Sequence, residues 1–380
     1  MDLLNATGMQ AGYTLGVEPS GREHLVVAVK GTFAFPETPE APPPLAEEQA
    51  PLAVADSFTG EPGFSAPLYE ANYAFRKPRC DVLLNGSAHA PGGKPAERVQ
   101  VGLKVGSLVK SFNVLGDRVW QASGLGIGAS APQPFEVMPL TYDRAFGGVD
   151  QWHPDESKHA AFMPNPVGRG FHAVLKKDFV DGAPLPNSEE AKRPVTAPDK
   201  AYAPMSFGPI GRGWEPRYKL AGTYDDAWLD EVFPFLPADF DEAYYQAAPP
   251  DQQIAYPQGG EDVALLNLTP EGRTAFKLPR VEVPVVFFCK GGGREEREAL
   301  LDTVLIEPEA RRLQLTWRAS QPLRRDIFEI AQVLTGRMSR AWWRARELGK
   351  TYYPSLGALA RAKGRGDDED EDDVAKDQGA

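Results

Sequence analysis

The chain has almost no cysteine. Cys80 and Cys289 are the only two in 380 residues. No C-x-x-C and no His/Cys grouping at zinc spacing occurs, which excludes a disulfide framework and a structural zinc module. Both cysteines are expected to be buried as small hydrophobes. Long apolar runs are missing too. The richest, 283–289, is far shorter than the roughly 18 residues a membrane-crossing helix needs. The opening Met1-Asp2-Leu3-Leu4-Asn5 carries no basic n-region, and the apolar run at 25–29 stops at Lys30, so no secretory signal is read. A soluble, cytoplasmic protein is the expectation. Positive charge is scarce as well: 41 Lys and Arg stand against 53 Asp and Glu, a net −12. The last twenty residues hold eight acids and four bases, so the body of the chain remains acidic. Phosphate backbones are gripped by Lys and Arg that displace counterions, so nucleic acid is a poor fit as a partner.

Signatures of catalysis and of cofactor binding are equally sparse. His153, His159 and His172 lie near Asp150, Asp155 and Glu156, but their spacing does not put two imidazoles on one helical face, and no metal is expected. The glycine runs Gly124-Leu125-Gly126-Ile127-Gly128 and Gly168-Arg169-Gly170 are not followed by a helix pattern, and no G-x-x-x-x-G-K-[ST] exists, so no nucleotide cofactor is expected. A G-x-S-x-G elbow is absent, and neither cysteine has an activating context. Paired carboxylates are harder to set aside. Asp143, Asp225, Asp226, Asp239 and Asp241 sit among aromatics, and a mainly-β protein built that way could be a carbohydrate-active or other hydrolase using Asp143 or Asp225. The competing reading is that these short side chains cap turns and pair with nearby arginines.

What is present is turn chemistry and period-two patterning. Glycine and proline number 37 and 36 and are dispersed, implying many turns and few long helices. Val99, Val101, Leu103 and Val105 alternate with Gln100, Gly102 and Lys104, as a half-buried strand requires. Further strands are expected at 25–35, 81–84, 108–114, 118–120, 135–140, 262–268 and 280–290. A hairpin is expected to join 303–306 to 312–317 through Glu307-Pro308-Glu309-Ala310. The Pro/Glu/Ala stretch 36–51 reads as an exposed loop. Between 146 and 249 periodicity fades, yet aromatics are dense, so this is ordered loop; disordered segments lack the apolar area to offset chain entropy. Ile327, Ile330, Ala331, Leu334, Met338, Ala341, Trp342, Ala345 and Leu348 then recur at helical spacing, interrupted by Gly336.

The expected fold is therefore mainly β: antiparallel, sandwich-like sheets with long Gly/Pro/aromatic-rich loops and a C-terminal helical segment. Residues 1–320 form the β-rich domain, with two lobes at about 1–145 and 250–320 joined by 146–249. A helical extension follows at 321–360, then an acidic, disordered tail at 361–380 that could fold back on Arg337, Arg340, Arg344 and Arg346. Aromatic and Arg residues on stiffened loops are the types that dominate binding hot spots. Trp214, Arg217, Tyr224, Asp225, Trp228, Asp239 and Asp241 are accordingly the candidate partner-binding residues. Asp117, Arg118, Trp120, Tyr142, Asp143, Arg144, Phe146, Gly147 and Gly148 are assigned structural roles, with Asp143 and Arg144 as a geometry-fixing polar pair and Gly147-Gly148 as the step where the chain leaves the sheet.

Several segments occur in a fixed order: Lys77-Pro78-Arg79-Cys80-Asp81-Val82, Ala90-Pro91-Gly92-Gly93, Gly116-Asp117-Arg118-Val119-Trp120, Pro139-Leu140-Thr141-Tyr142-Asp143-Arg144-Ala145-Phe146-Gly147-Gly148, Asn165-Pro166-Val167-Gly168-Arg169-Gly170-Phe171, Leu185-Pro186-Asn187, Trp214-Glu215-Pro216-Arg217, Ala221-Gly222-Thr223-Tyr224-Asp225 with Trp228, and Leu236-Pro237-Ala238-Asp239-Phe240-Asp241. Together they resemble the type VI secretion-associated adaptor family, long catalogued as a domain of unknown function, over roughly residues 20 to 315. Cys80 departs from the pattern, where a small polar residue is expected. The resemblance implies a non-catalytic adaptor or chaperone in a bacterial cytoplasm. Such a protein binds a secreted effector, keeps it soluble and helps mount it on the spike made by VgrG and PAAR-type proteins. It implies no cofactor, and it leaves the oligomeric state and the role of the C-terminus open.

Overall fold

The computed structural model describes residues 1–124 and 126–361. Its architecture follows from strands whose core-facing side chains alternate with a second, polar set. The longest, Glu23–Ala34, is buried along both faces: Leu25, Val27, Val29 and Phe33 enter the core, while Lys30 and Thr32 are buried on the other side. It pairs antiparallel with Gln10–Val17 on one side and with Arg312–Pro322 on the other. The hairpin partner Leu300–Glu307 comes next and lies parallel to Cys80–Leu84, with Gln253–Ile254 at the far edge, completing a six-stranded sheet. A five-stranded antiparallel sheet is built from Ser188–Glu189, Leu108–Leu115, Arg98–Val105, Asp262–Leu266 and Arg273–Lys277, in that order. A four-stranded sheet orders Asp2–Asn5, Ile330–Thr335, Pro284–Cys289 and Arg294–Glu298.

One contiguous apolar core draws on all three sheets, including Val29 and Trp317, Val101 and Phe112, and Phe287 and Val333. The chain is thus mainly β with antiparallel, sandwich-like sheets, as its alternation predicts. The two expected lobes do not form. Strands from before residue 145 and after residue 250 interleave in both larger sheets, so Met1–Gly336 is one unit, with Arg337–Ala380 the other. A sheet that pairs Glu23–Ala34 with Arg312–Pro322 cannot be divided into halves that fold apart.

The C-terminal stripe is the second correction. Ile330–Thr335 is a strand, held between Asp2–Asn5 and Pro284–Cys289, and helix begins only at Arg340–Glu347, capped by the Ser339 hydroxyl on the Trp342 N–H at 3.2 Å. Gly336, at φ 85°, ends the strand. The strand expected at 118–120 is shifted to Trp120–Ser123. Residues 37–40 of the expected exposed loop are exposed, but Ala46 N donates to Thr32 O and Ala34 N to Pro44 O, so the following residues prolong the sheet edge. Cys80 is buried and Cys289 only half so.

The stretch 146–249 has no long element, yet it packs with residues before it into two small cores. Trp120, Phe146, Val180, Leu185, Val195 and Tyr202 make one; Ala66, Tyr142, Ala145, Ile210 and Trp214 make the other. Among the described residues, no helix is long and apolar enough to cross a membrane. The acidic run 367–373 lies outside the described residues, as does Leu125 in the first glycine run.

Candidate docking surface

Residues 210–248 form an excursion between the strands Ser188–Glu189 and Gln253–Ile254, closed where Ile210 N donates to Ala247 O at 2.9 Å, and its two ends are fixed by buried charge. The Arg217 guanidinium donates to Glu70 at 2.6 Å, to Ile210 O at 2.8 Å and to Tyr244 O at 2.9 and 3.1 Å. Glu70 also meets Arg212 at 3.0 Å and Lys77 at 3.4 Å. Burial pushes the Glu70 carboxyl up, but Lys77, Arg217 and Arg212 together outweigh it and hold the group below its usual range. Lys77 is bonded in turn to Asp81 at 2.7 Å, and Asp81 accepts from Ala247 N at 2.8 Å, Ala248 N at 3.2 Å and the Gln246 amide. Arg212 reaches Asp56 at 2.8 Å. Trp214 packs its ring against Tyr142, 5.5 Å between centroids. Every charge in this base has an opposite partner, as low dielectric demands.

Trp214 and Arg217 are therefore 6 % and 3 % exposed, not surface anchors. Their reassignment has a plain cause: Arg217 needs a carboxylate and two carbonyls to offset its desolvation, and the fold supplies all three.

Beyond this base the chain turns outward. Asp225 accepts from Trp228 N at 2.9 Å and caps the short helix Asp226–Glu231. Asp239 accepts from Thr223 N at 2.9 Å and from its hydroxyl at 2.8 Å, closing the loop. Asp241 accepts from Ala243 N at 2.8 Å and caps the turn Glu242–Tyr245. Trp228 is half-buried at the centre, its Nε1 donating to Phe235 O at 3.0 Å, with the rings of Tyr224 and Phe233 edge-on to it at 4.7 and 5.6 Å. Around Trp228 the side chains of Tyr224, Leu229, Phe233 and Phe235 are left about half exposed or more, Phe233 most at 61 %. Clustered exposure of large apolar side chains makes the tip the candidate docking surface.

Tyr224 is half exposed at the tip and Trp228 half-buried beneath it, while Asp225, Asp239 and Asp241 shape the loop. Leu229, Phe233 and Phe235 went unrecognised. Their signal is Phe233-Pro234-Phe235-Leu236-Pro237, in which two prolines break both strand and helix and leave the aromatics nowhere regular to pack.

The 139–148 segment is a structural knot. Phe146 is fully buried against Phe162, Phe171 and Tyr202. Asp143 and Arg144 do not pair with each other. Asp143 accepts from Ala66 N at 2.9 Å and from the Thr59 hydroxyl at 2.8 Å, whereas Arg144 donates to Asn187 Oδ1 at 3.2 Å and lies 3.7 Å from Asp117. Adjacent residues of a one-turn helix point to different segments, so each ties down its own neighbour. Gly147 and Gly148 have φ of 149° and 111°, and a Cβ on Gly147 would stand 2.1 Å from Asn165 O. Arg118 is buried against Glu189 at 3.3 Å and Pro186 O at 3.1 Å, and Trp120 donates to Gly170 O at 3.0 Å. Asp117 accepts from Asn187 Nδ2 at 3.0 Å.

A cavity of about 340 Å³ lies over the polar face of the large sheet, under residues 50–72. Its lining includes Lys30, Glu70, Lys77, Gln314 and Arg318. Lys30 donates to Pro51 O at 2.9 Å, and burial lowers its pKa to about 8. His153 and His159 join each other's loop rather than a metal cluster, and among the described residues no three His, Cys, Asp or Glu side chains are placed to hold an ion.

No curated protein and no solved structure matches the chain. Residues 20–318 match the model of DUF2169, described as an uncharacterized protein conserved in bacteria. That match spans most of the 380 residues, and the chain belongs to this bacterial family.

Proposed function

We propose that this protein is a non-catalytic adaptor: it binds a secreted effector of a type VI system, keeps it soluble and helps load it onto the VgrG/PAAR spike. The observation that carries the binding part of this reading is the excursion itself. Its base is locked by Arg217, Glu70, Lys77 and Asp81, while its tip presents Tyr224, Leu229, Phe233 and Phe235 to solvent. A rigid platform under large apolar side chains binds with little ordering cost, which is the condition for a hot spot. The secretion context rests on the ordered segments from Lys77 to Asp241 that resemble the adaptor family.

The carboxylates that a hydrolase would recruit have other work. Asp143 holds the 59–66 turn and Asp225 caps a helix. This favours binding over catalysis at those positions. The test is deletion of this chain in a bacterium that secretes a candidate effector. Soluble yield and secretion of that protein should fall, and Phe233→Ala should reproduce the loss. Equal yield and equal secretion without this chain would end the adaptor reading.

A further inference from the structure

The aromatic tip is set in an unusually one-sided field. From Leu220 to Gly272 the sequence has no Lys, Arg or His, while Asp225, Asp226, Asp230, Glu231, Asp239, Asp241 and Glu242 fall within the tip itself. Six of these seven acids are exposed, Glu242 alone being half-buried and paired with Arg76 at 3.1 Å. The nearest cation before the stretch, Lys219, is paired with Glu215. Asp225, Asp239 and Asp241 have structural hydrogen bonds, but each still carries its charge outward. The segment therefore offers exposed apolar side chains together with six exposed carboxylates that form no salt bridge among the described residues.

Resting on the adaptor reading, we infer that the occupant of this tip is a cationic, apolar segment of the partner protein, in which Lys or Arg residues alternate with large hydrophobes. The apolar side chains pack on Tyr224, Leu229, Phe233 and Phe235, and the bases meet the carboxylates around them. Charge complementarity of this type steers encounter and rejects wrong partners. It also disposes of two other occupants. The chain's own run Asp367-Asp368-Glu369-Asp370-Glu371-Asp372-Asp373 and an anionic lipid surface both carry the sign that the tip repels.

The test uses the full chain and two labelled synthetic peptides: one alternating Arg and Leu with a Trp, and a twin with every Arg replaced by Glu. Fluorescence anisotropy reads binding across a salt series. The charge variant is Asp226→Asn with Asp230→Asn and Glu231→Gln, three exposed side chains that cap no helix end. Expected are binding of the Arg peptide alone, about tenfold weaker binding to the triple variant at low salt, and a flatter salt dependence in that variant. Equal binding of both peptides, binding of neither, or an unchanged affinity in the triple variant overturns the inference. So does concentration-dependent self-association that the triple variant removes, which would assign the tip to a second copy of this chain. Failure here is separable from failure of the adaptor reading. If Phe233→Ala releases the natural partner while the triple variant retains it, the partner is apolar but not cationic. If Phe233→Ala retains it as well, the tip is not the docking surface.

Discussion

Arg217→Ala is the substitution that most sharply separates a platform residue from a contact residue. The side chain is 3 % exposed and its guanidinium makes four hydrogen bonds, to one carboxylate and two carbonyls. Breaking a buried ion pair by removing one partner costs about 3–5 kcal/mol, because the remaining charge is left in low dielectric. Here Glu70 keeps Arg212 at 3.0 Å and Lys77 at 3.4 Å, which favours the lower end. The Ile210 and Tyr244 carbonyls lose charged donors, and each adds roughly 1 kcal/mol. The expected total is about 5 kcal/mol. For a body of this size, on the order of 2 °C of melting temperature per kcal/mol gives a fall of about 10 °C.

Thermal denaturation followed by circular dichroism measures that fall, and peptide or effector binding below the transition measures the contact. Arg217→Lys keeps a charge near Glu70 but loses the fork that spans both carbonyls, so it should recover only part of the loss. The platform assignment is refuted if Arg217→Ala melts within a degree or two of the parent and yet no longer binds. In that event the guanidinium belongs to the interface.

Phe233→Ala should behave in the opposite way: a 61 % exposed ring contributes little to folding, so stability should change by less than about 0.5 kcal/mol while partner binding weakens by more than about 1 kcal/mol in a pull-down titration. Glu70, with its pKa held below that of the unfolded chain, stabilises fully above about pH 4.3, and that stability is lost as pH falls through the folded value. The acid limb of melting temperature against pH should accordingly be steep in the parent and shallower in Arg217→Ala. Lys30 has the reverse sign. Its pKa of about 8 lies below the unfolded value of roughly 10.4, so the unfolded chain binds more protons between them and stability rises with pH across that window. Lys30→Met should be more stable than the parent below pH 8, by at most about 3 kcal/mol, with the difference shrinking towards pH 10.4. Gly147→Ala meets backbone at Asn165 O and should cost about 3 kcal/mol or more, seen as lost soluble yield.

Sequence legibility tracked one-sided burial. Arg98–Val105 alternates cleanly because one face meets the core and the other does not, and the 303–317 hairpin declares itself through a proline turn between two apolar runs. Ile330–Thr335 misled for a physical reason. Ile330, Val333 and Leu334 fit a helical stripe as well as a strand over so short a run, and the deciding fact is the slot between Pro284–Cys289 and Asp2–Asn5, three hundred residues away in sequence. Gln10–Val17 was hidden differently: Gly12 and Gly16 erase the alternation, yet both are needed, since a Cβ there would run into Tyr73 and Phe75.

The candidate site divides along the same line. Trp214 and Arg217 are the same residue types as the hot-spot residues they were taken for, and nothing within ten residues of Arg217 distinguishes an anchor from a core cation. What decides is Glu70, 147 positions earlier, delivered by the loop that covers the polar face of the large sheet. The surroundings of Tyr224 and Trp228, by contrast, are local: a capped helix too short to bury both its faces, followed by a proline-interrupted aromatic run. Residues whose role is set within their own loop can be read from the chain, and residues whose role is set by a distant charge cannot. That difference is also why the tip, and not the base, is the place to look for the partner. The base spends its polar groups on the rest of the fold, whereas the carboxylates of Asp226, Asp230 and Glu231 are aimed at nothing the described residues supply.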